Sequence, residues 1–170
     1  MSIHSVEKDI HMMTSIDDYT EICGQMDVLI EQTSLSEKLR MRDQCSRLRI
    51  EAINYLDSLI EEEDIDVGLK KKVKAMKPFA MFERAEVLVA LGQNERAKFM
   101  FQSCESLSKK LHSAPVYAKM VSRINCRLDL LGFELVGLDA DAVSSTELPP
   151  EYAVLPHKCE DFFDAIKYAA

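Results

Sequence analysis

Tryptophan is absent from this 170-residue chain, glycine and proline occur five times each, and only 7% of residues are aromatic. So little Gly and Pro argues against a turn-rich sandwich or barrel, which needs a turn signal about every 8–12 residues. No segment supplies the roughly 20 continuous apolar residues of a membrane helix, so no membrane insertion is expected. The opening MSIHSVEKDI lacks a secretory apolar core. The five cysteines, Cys23, Cys45, Cys104, Cys126 and Cys159, are odd in number and never form CxxC. That usage suits reduced thiols in the cytoplasm, with the nucleus as the alternative. Positive charge is also in deficit. The net charge of −8 disfavours nucleic acid and anionic lipid as partners.

What is present is helical pattern almost throughout. Apolar residues make up 47% of the chain and recur at steps of three and four. Ser15, with Asp18 in the first turn, predicts a helix start. Ile16, Tyr19, Cys23, Met26 and Ile30 then line one face to about Thr33. A second stripe, Met41, Cys45, Leu48, Ala52, Tyr55 and Leu59, follows Ser36, so residues 15–62 read as an antiparallel hairpin. Helical pattern resumes from Val67 to Met76, and Lys77–Pro78 predicts a new helix start that runs to Gly92. Two more helices are expected, Asn94 to Leu111 and Pro115 to about Gly132. Before Ser15, residues 1–14 read as a flexible lead-in, in which Ile3, Val6 and Ile10 have the spacing to continue a helical stripe.

Beyond residue 138 the character changes. Asp139, Asp141, Glu147, Glu151, Glu160, Asp161 and Asp164 stand against Lys158 and Lys167, which puts −5 in 139–170 and −3 in the rest. Residues 139–156 predict an acidic, proline-punctuated linker and 157–170 a short terminal helix carrying Phe162, Phe163 and Ile166. The packed domain is therefore expected over 15–138. A further expectation is that residues 139–170 fold back over a groove as a pseudo-ligand.

Between 78 and 111 the spacing of Ala85, Leu88, Gly92, Ala97, Phe101 and Cys104 resembles a tetratricopeptide repeat, in which small residues let two helices touch and large ones fill between. Leu128, Leu131 and Gly132 echo Leu88, Leu91 and Gly92. Met81, Arg84, Asn94 and Lys109 depart from the family pattern. The resemblance implies an all-α fold of antiparallel hairpins stacked as a short right-handed array. It also implies a protein-binding scaffold that holds a peptide or helix of another protein between helix pairs. Arg84, Glu86, Arg123 and Arg127, polar positions on the first helices of the pairs, are its candidate binding residues.

Catalytic constellations are not found. There is no GxGxxG, GxxxxGK[ST] or HExxH motif. His157 and Cys159 lack a second ligand pair at zinc spacing. Cys104 or Cys126 with His112 is the one imaginable nucleophile and base, and no oxyanion motif accompanies it. No cofactor or metal is expected. The alternatives to an adaptor are an obligate oligomer pairing through 15–62 and, behind it, a small all-α enzyme.

Overall fold

The computed structural model describes residues 2–62 and 67–137. Every regular element among them is a helix: α1 (Ile3–Ile10), α2 (Ile16–Gln32), α3 (Lys38–Glu62), α4 (Val67–Ala90), α5 (Asn94–Leu111) and α6 (Ala114–Leu130). Each helix packs on the next in chain order, and α4 is gripped most extensively, between α3 and α5. The acidic connection 63–66, the 139–156 linker, the 157–170 helix and the folded-back tail all lie outside the described residues.

The helix starts follow local chemistry. Ser15 Oγ accepts the Asp18 amide at 3.2 Å, and Asp18 Oδ2 accepts the Thr14 amide at 2.8 Å. The first bond satisfies an orphan amide of the helix, and the bonds from the Thr14 amide and hydroxyl hold the Asp18 carboxyl below its usual range. The ends repeat one device. Gly92, at φ 76°, donates to Val89 while Gln93 donates to Leu88; Gly132, at φ 77°, donates to Asp129 while Phe133 donates to Leu128. The 40-residue echo in the sequence is thus one cap built twice.

Two expectations are corrected. The lead-in contains a docked helix: Val6 and Ile10 of α1 are fully buried and Met13 nearly so, against α2 and α3. The boundary at Lys77–Pro78 is absent, because Pro78 lies inside a continuous α4. Proline there removes the amide that would bond the Lys74 carbonyl, a cost usually sufficient to break a helix. Tertiary packing offsets it. Val73, Ala75, Met76, Phe79 and Ala80 on both sides of the proline are buried.

α4 and α5 run antiparallel. The Cys104 thiol donates to the Pro78 carbonyl at 3.1 Å, and the Phe101 ring meets the Phe82 ring edge-on at 5.6 Å. His112, just past α5, reaches back to Ala75. Ala85, Ala97, Phe101 and Cys104 are wholly buried, and Leu88 almost so, within one core shared by all six helices. Such small residues leave room for close approach, and the aromatics fill the space beside them.

Candidate functional site

Polar residues on α4 are the first candidates, and most prove to be internal. Arg49 of α3 is fully buried; it donates to Asp27 of α2 at 2.9 Å and to Glu83 of α4 at 2.5 Å. Burial pushes the Glu83 carboxyl up against the pull of Arg49. Arg84 turns toward α3, where it donates to Asp43 at 2.6 Å and Ser46 at 2.9 Å. Glu86 accepts from Arg127 Nε of α6 at 2.7 Å, with Arg123 as a second nearby cation. Burial raises the Glu86 carboxyl, and the Arg127 bond opposes that rise. Lys77 donates to Asp57 at 2.7 Å.

The structure therefore gathers Glu86, Arg123 and Arg127 and directs Arg84 elsewhere. Arg84 and Glu86, two of the candidate binding residues, are both buried. A charged side chain can be buried when an opposite charge meets it, and here the partners lie 41 residues away in sequence. Arg123 and Arg127 are half-buried.

Of the imagined nucleophiles and base, Cys104 and His112 are committed to other bonds, and Cys126 is a half-buried free thiol. Burial raises the Cys104 thiol far above its ordinary value, and its hydrogen goes to Pro78. Burial likewise pushes Cys45 up to about 12. His112 bonds the Ala75 carbonyl at 2.8 Å and stacks on Phe79 at 4.8 Å. Neither thiol is a thiolate at neutral pH. Among the described residues, no three His, Cys, Asp or Glu side chains are grouped to hold a metal ion.

A different constellation lies between α5 and α6. After the Gly132 cap the chain turns back as an irregular stretch, residues 133–137, along these helices. Asn125, only 4% exposed, grips it twice. Its Nδ2 donates to the Val136 carbonyl at 3.0 Å, and its Oδ1 accepts the Val136 amide at 2.8 Å. One carboxamide thereby satisfies both main-chain polar groups of a residue, as a neighbouring strand would. Beside it the Tyr117 hydroxyl donates to buried Glu105 at 2.6 Å and lies 3.4 Å from the Gly137 carbonyl. Burial and the Glu105 carboxylate push the Tyr117 hydroxyl up to about 12.

Gly137 sits at φ 81°, and a Cβ there would lie 2.7 Å from both Glu105 Oε1 and Tyr117 Oη. Only glycine fits. At the other end the Lys98 ammonium stands 5.0 Å from the centre of the Phe133 ring. Phe133 and Val136 pack on the core, while Glu134 and Leu135 are exposed. The same Lys98 ammonium stands 5.9 Å from the ring of Phe99, which is 64% exposed beside a shallow concavity of about 440 Å³ that Met81 and Leu107 also line.

Lys98, Glu105, Tyr117, Asn125 and Gly137 were not singled out from sequence. The available signal was a buried-stripe asparagine, next to Ile124, together with the apolar Phe133, Val136 and Gly137 just beyond a helix stop.

Compared with protein-family models, with curated proteins and with solved structures, the chain finds no match. No helix among the described residues is long and apolar enough to cross a membrane.

Proposed function

We propose that this chain is a non-enzymatic protein–protein interaction adaptor, a short tetratricopeptide-like helical array that binds a segment of a partner between its helices. The observation that carries this reading is the Asn125 carboxamide closed on both polar groups of Val136. A groove that satisfies main-chain groups in this way has the chemistry to take an extended peptide. Two further features support it. The six candidate packing residues around the 78–111 hairpin are buried or at its glycine turn, and the helices pack in sequence order as stacked hairpins do. The test is affinity purification of the full chain from native lysate with mass spectrometry. A stoichiometric protein partner is expected; a chain that stays monomeric and partnerless overturns the reading.

Self-association is the second reading. Val28, Leu35 and Leu39 are exposed around the α2–α3 link, an apolar group that a second copy of the 15–62 hairpin could cover. Light scattering at two concentrations separates the two: a mass that doubles with concentration favours the oligomer.

A further inference from the structure

We propose that the α5–α6 groove is the binding site for an extended partner segment bearing an aromatic residue, two residues of any kind, a branched aliphatic residue and glycine. The chain's own Phe133–Gly137 is then the resident copy of that ligand. This rests on the adaptor reading and adds the partner's chemistry.

Three contacts set the pattern. Asn125 reads the main chain at the Val136 position, and the core against which Val136 packs asks for a branched aliphatic side chain there. The residue after it takes φ 81° beside the Glu105–Tyr117 pair, a left-handed backbone that favours glycine. The Lys98 ammonium, 5.0 Å from the Phe133 ring centre, favours an aromatic face three residues before the clamped one. The exposed Glu134 and Leu135 between them are not selected.

The segment is held by a carboxamide only 4% exposed that bonds its main chain at Val136, with the Glu105 carboxylate, 9% exposed, beside its glycine. When the segment leaves, Asn125 loses both partners, and water or another peptide must replace them. Because Phe133–Gly137 joins α6 directly, its effective concentration is in the millimolar range or higher. A free peptide meets an open groove only for the fraction of time the segment is released, and its apparent affinity falls by that fraction.

The experiment uses a fluorescein-labelled peptide, LGFELVGL, titrated by anisotropy into four full-length proteins. These are the wild type, Gly137→Ala, Phe133→Ala/Val136→Ala and Gly137→Ala/Asn125→Ala. Both opened variants leave the groove residues intact, so a folding failure in one leaves the other to decide. Circular dichroism checks the helices, and hydrogen exchange at residue 136 reports release. The expected result is peptide binding to an opened variant about tenfold or more tighter than to the wild type, lost when Asn125 is also removed, with a scrambled peptide inactive. No binding to a folded, released variant overturns the proposal. So does an amide at 136 that stays protected in both opened variants, which marks a fixed strut. A partner captured by the wild type alongside absent peptide binding sinks this inference and leaves the adaptor reading standing. Peptide binding with no captured partner sinks the adaptor reading instead.

Discussion

Arg49 carries a full charge into the core and meets carboxylates from two other helices, Asp27 at 2.9 Å and Glu83 at 2.5 Å. Removing one partner of such a group leaves the others desolvated and unpaired, which costs about 3–5 kcal/mol. Arg49→Met should lower stability by about that amount in urea unfolding. Arg49→Met/Glu83→Gln should be less destabilised than Arg49→Met alone, since the orphan charge is gone; a worse double variant would show that Glu83 is not the stranded group. None of this was legible in the sequence. A charged residue on a helix reads as a solvated one, and the partners are 22 and 34 residues away, a proximity that only folding creates. Asn125 was hidden for the same reason, whereas Ser15 was legible because its bond partner is three residues on. His112 supplies the pH counterpart. Burial lowers its proton affinity below the ordinary 6.5, the Nε2 side bonds Ala75, and buried Nδ1 has no partner among the described residues. The unfolded chain therefore binds the proton first. Its stabilising effect is complete above about pH 6.5 and is lost as pH falls below it, by at most about 1.4 kcal/mol per pH unit. His112→Gln keeps an amide donor and cannot titrate. The stability difference between the two proteins should be flat above pH 7 and move toward the variant from pH 6.5 to 5. Parallel curves would exclude the buried imidazole as the cause.

Helix ends and helix interiors give the same residue opposite meanings. Gly92 closes α4 at φ 76° with open space where a Cβ would go, so Gly92→Ala brings backbone strain and no clash. Its expected cost is about 1–2 kcal/mol. Gly24 is exposed inside α2, also with open space and with no positive φ. Gly24→Ala should therefore stabilise by about 0.5–1 kcal/mol, the helix propensity difference. Thermal melts of the two variants should shift in opposite directions, and shifts of one sign would contradict the assigned caps. Gly92 was readable as a stop because the apolar stripe ends just before it. Pro78 was misread by the same logic. Local chemistry alone puts a helix boundary there, and only the packing of α3 and α5 on both sides of α4 keeps the helix continuous. The lead-in failed differently: α1 is eight residues, too short to be stable by itself, so docking of Val6 and Ile10 decides its existence.

Over the whole molecule, stability should follow each helix's place in the order of contacts. α4 is bound on both flanks and is tied by Lys77, Glu83 and Arg84 to α3 and by Glu86 to α6. α1, the first helix in the chain, touches only α2 and α3 among its main contacts. In a chain of elements that mostly touch their neighbours, a terminal element can open while the interior stays folded. Native-state hydrogen exchange should therefore find the Phe82–Leu88 amides opening only with global unfolding, and the Ile3–Ile10 amides at a lower free energy. Ile10→Ala, which empties a fully buried position, sharpens the contrast. It should deprotect α1 further before it changes the ranking of α4 and α5. If α1 and α4 exchange at one free energy in both proteins, the six helices form a single cooperative unit. A change at any one helix would then be felt at every other, because no end of the helix order could loosen alone.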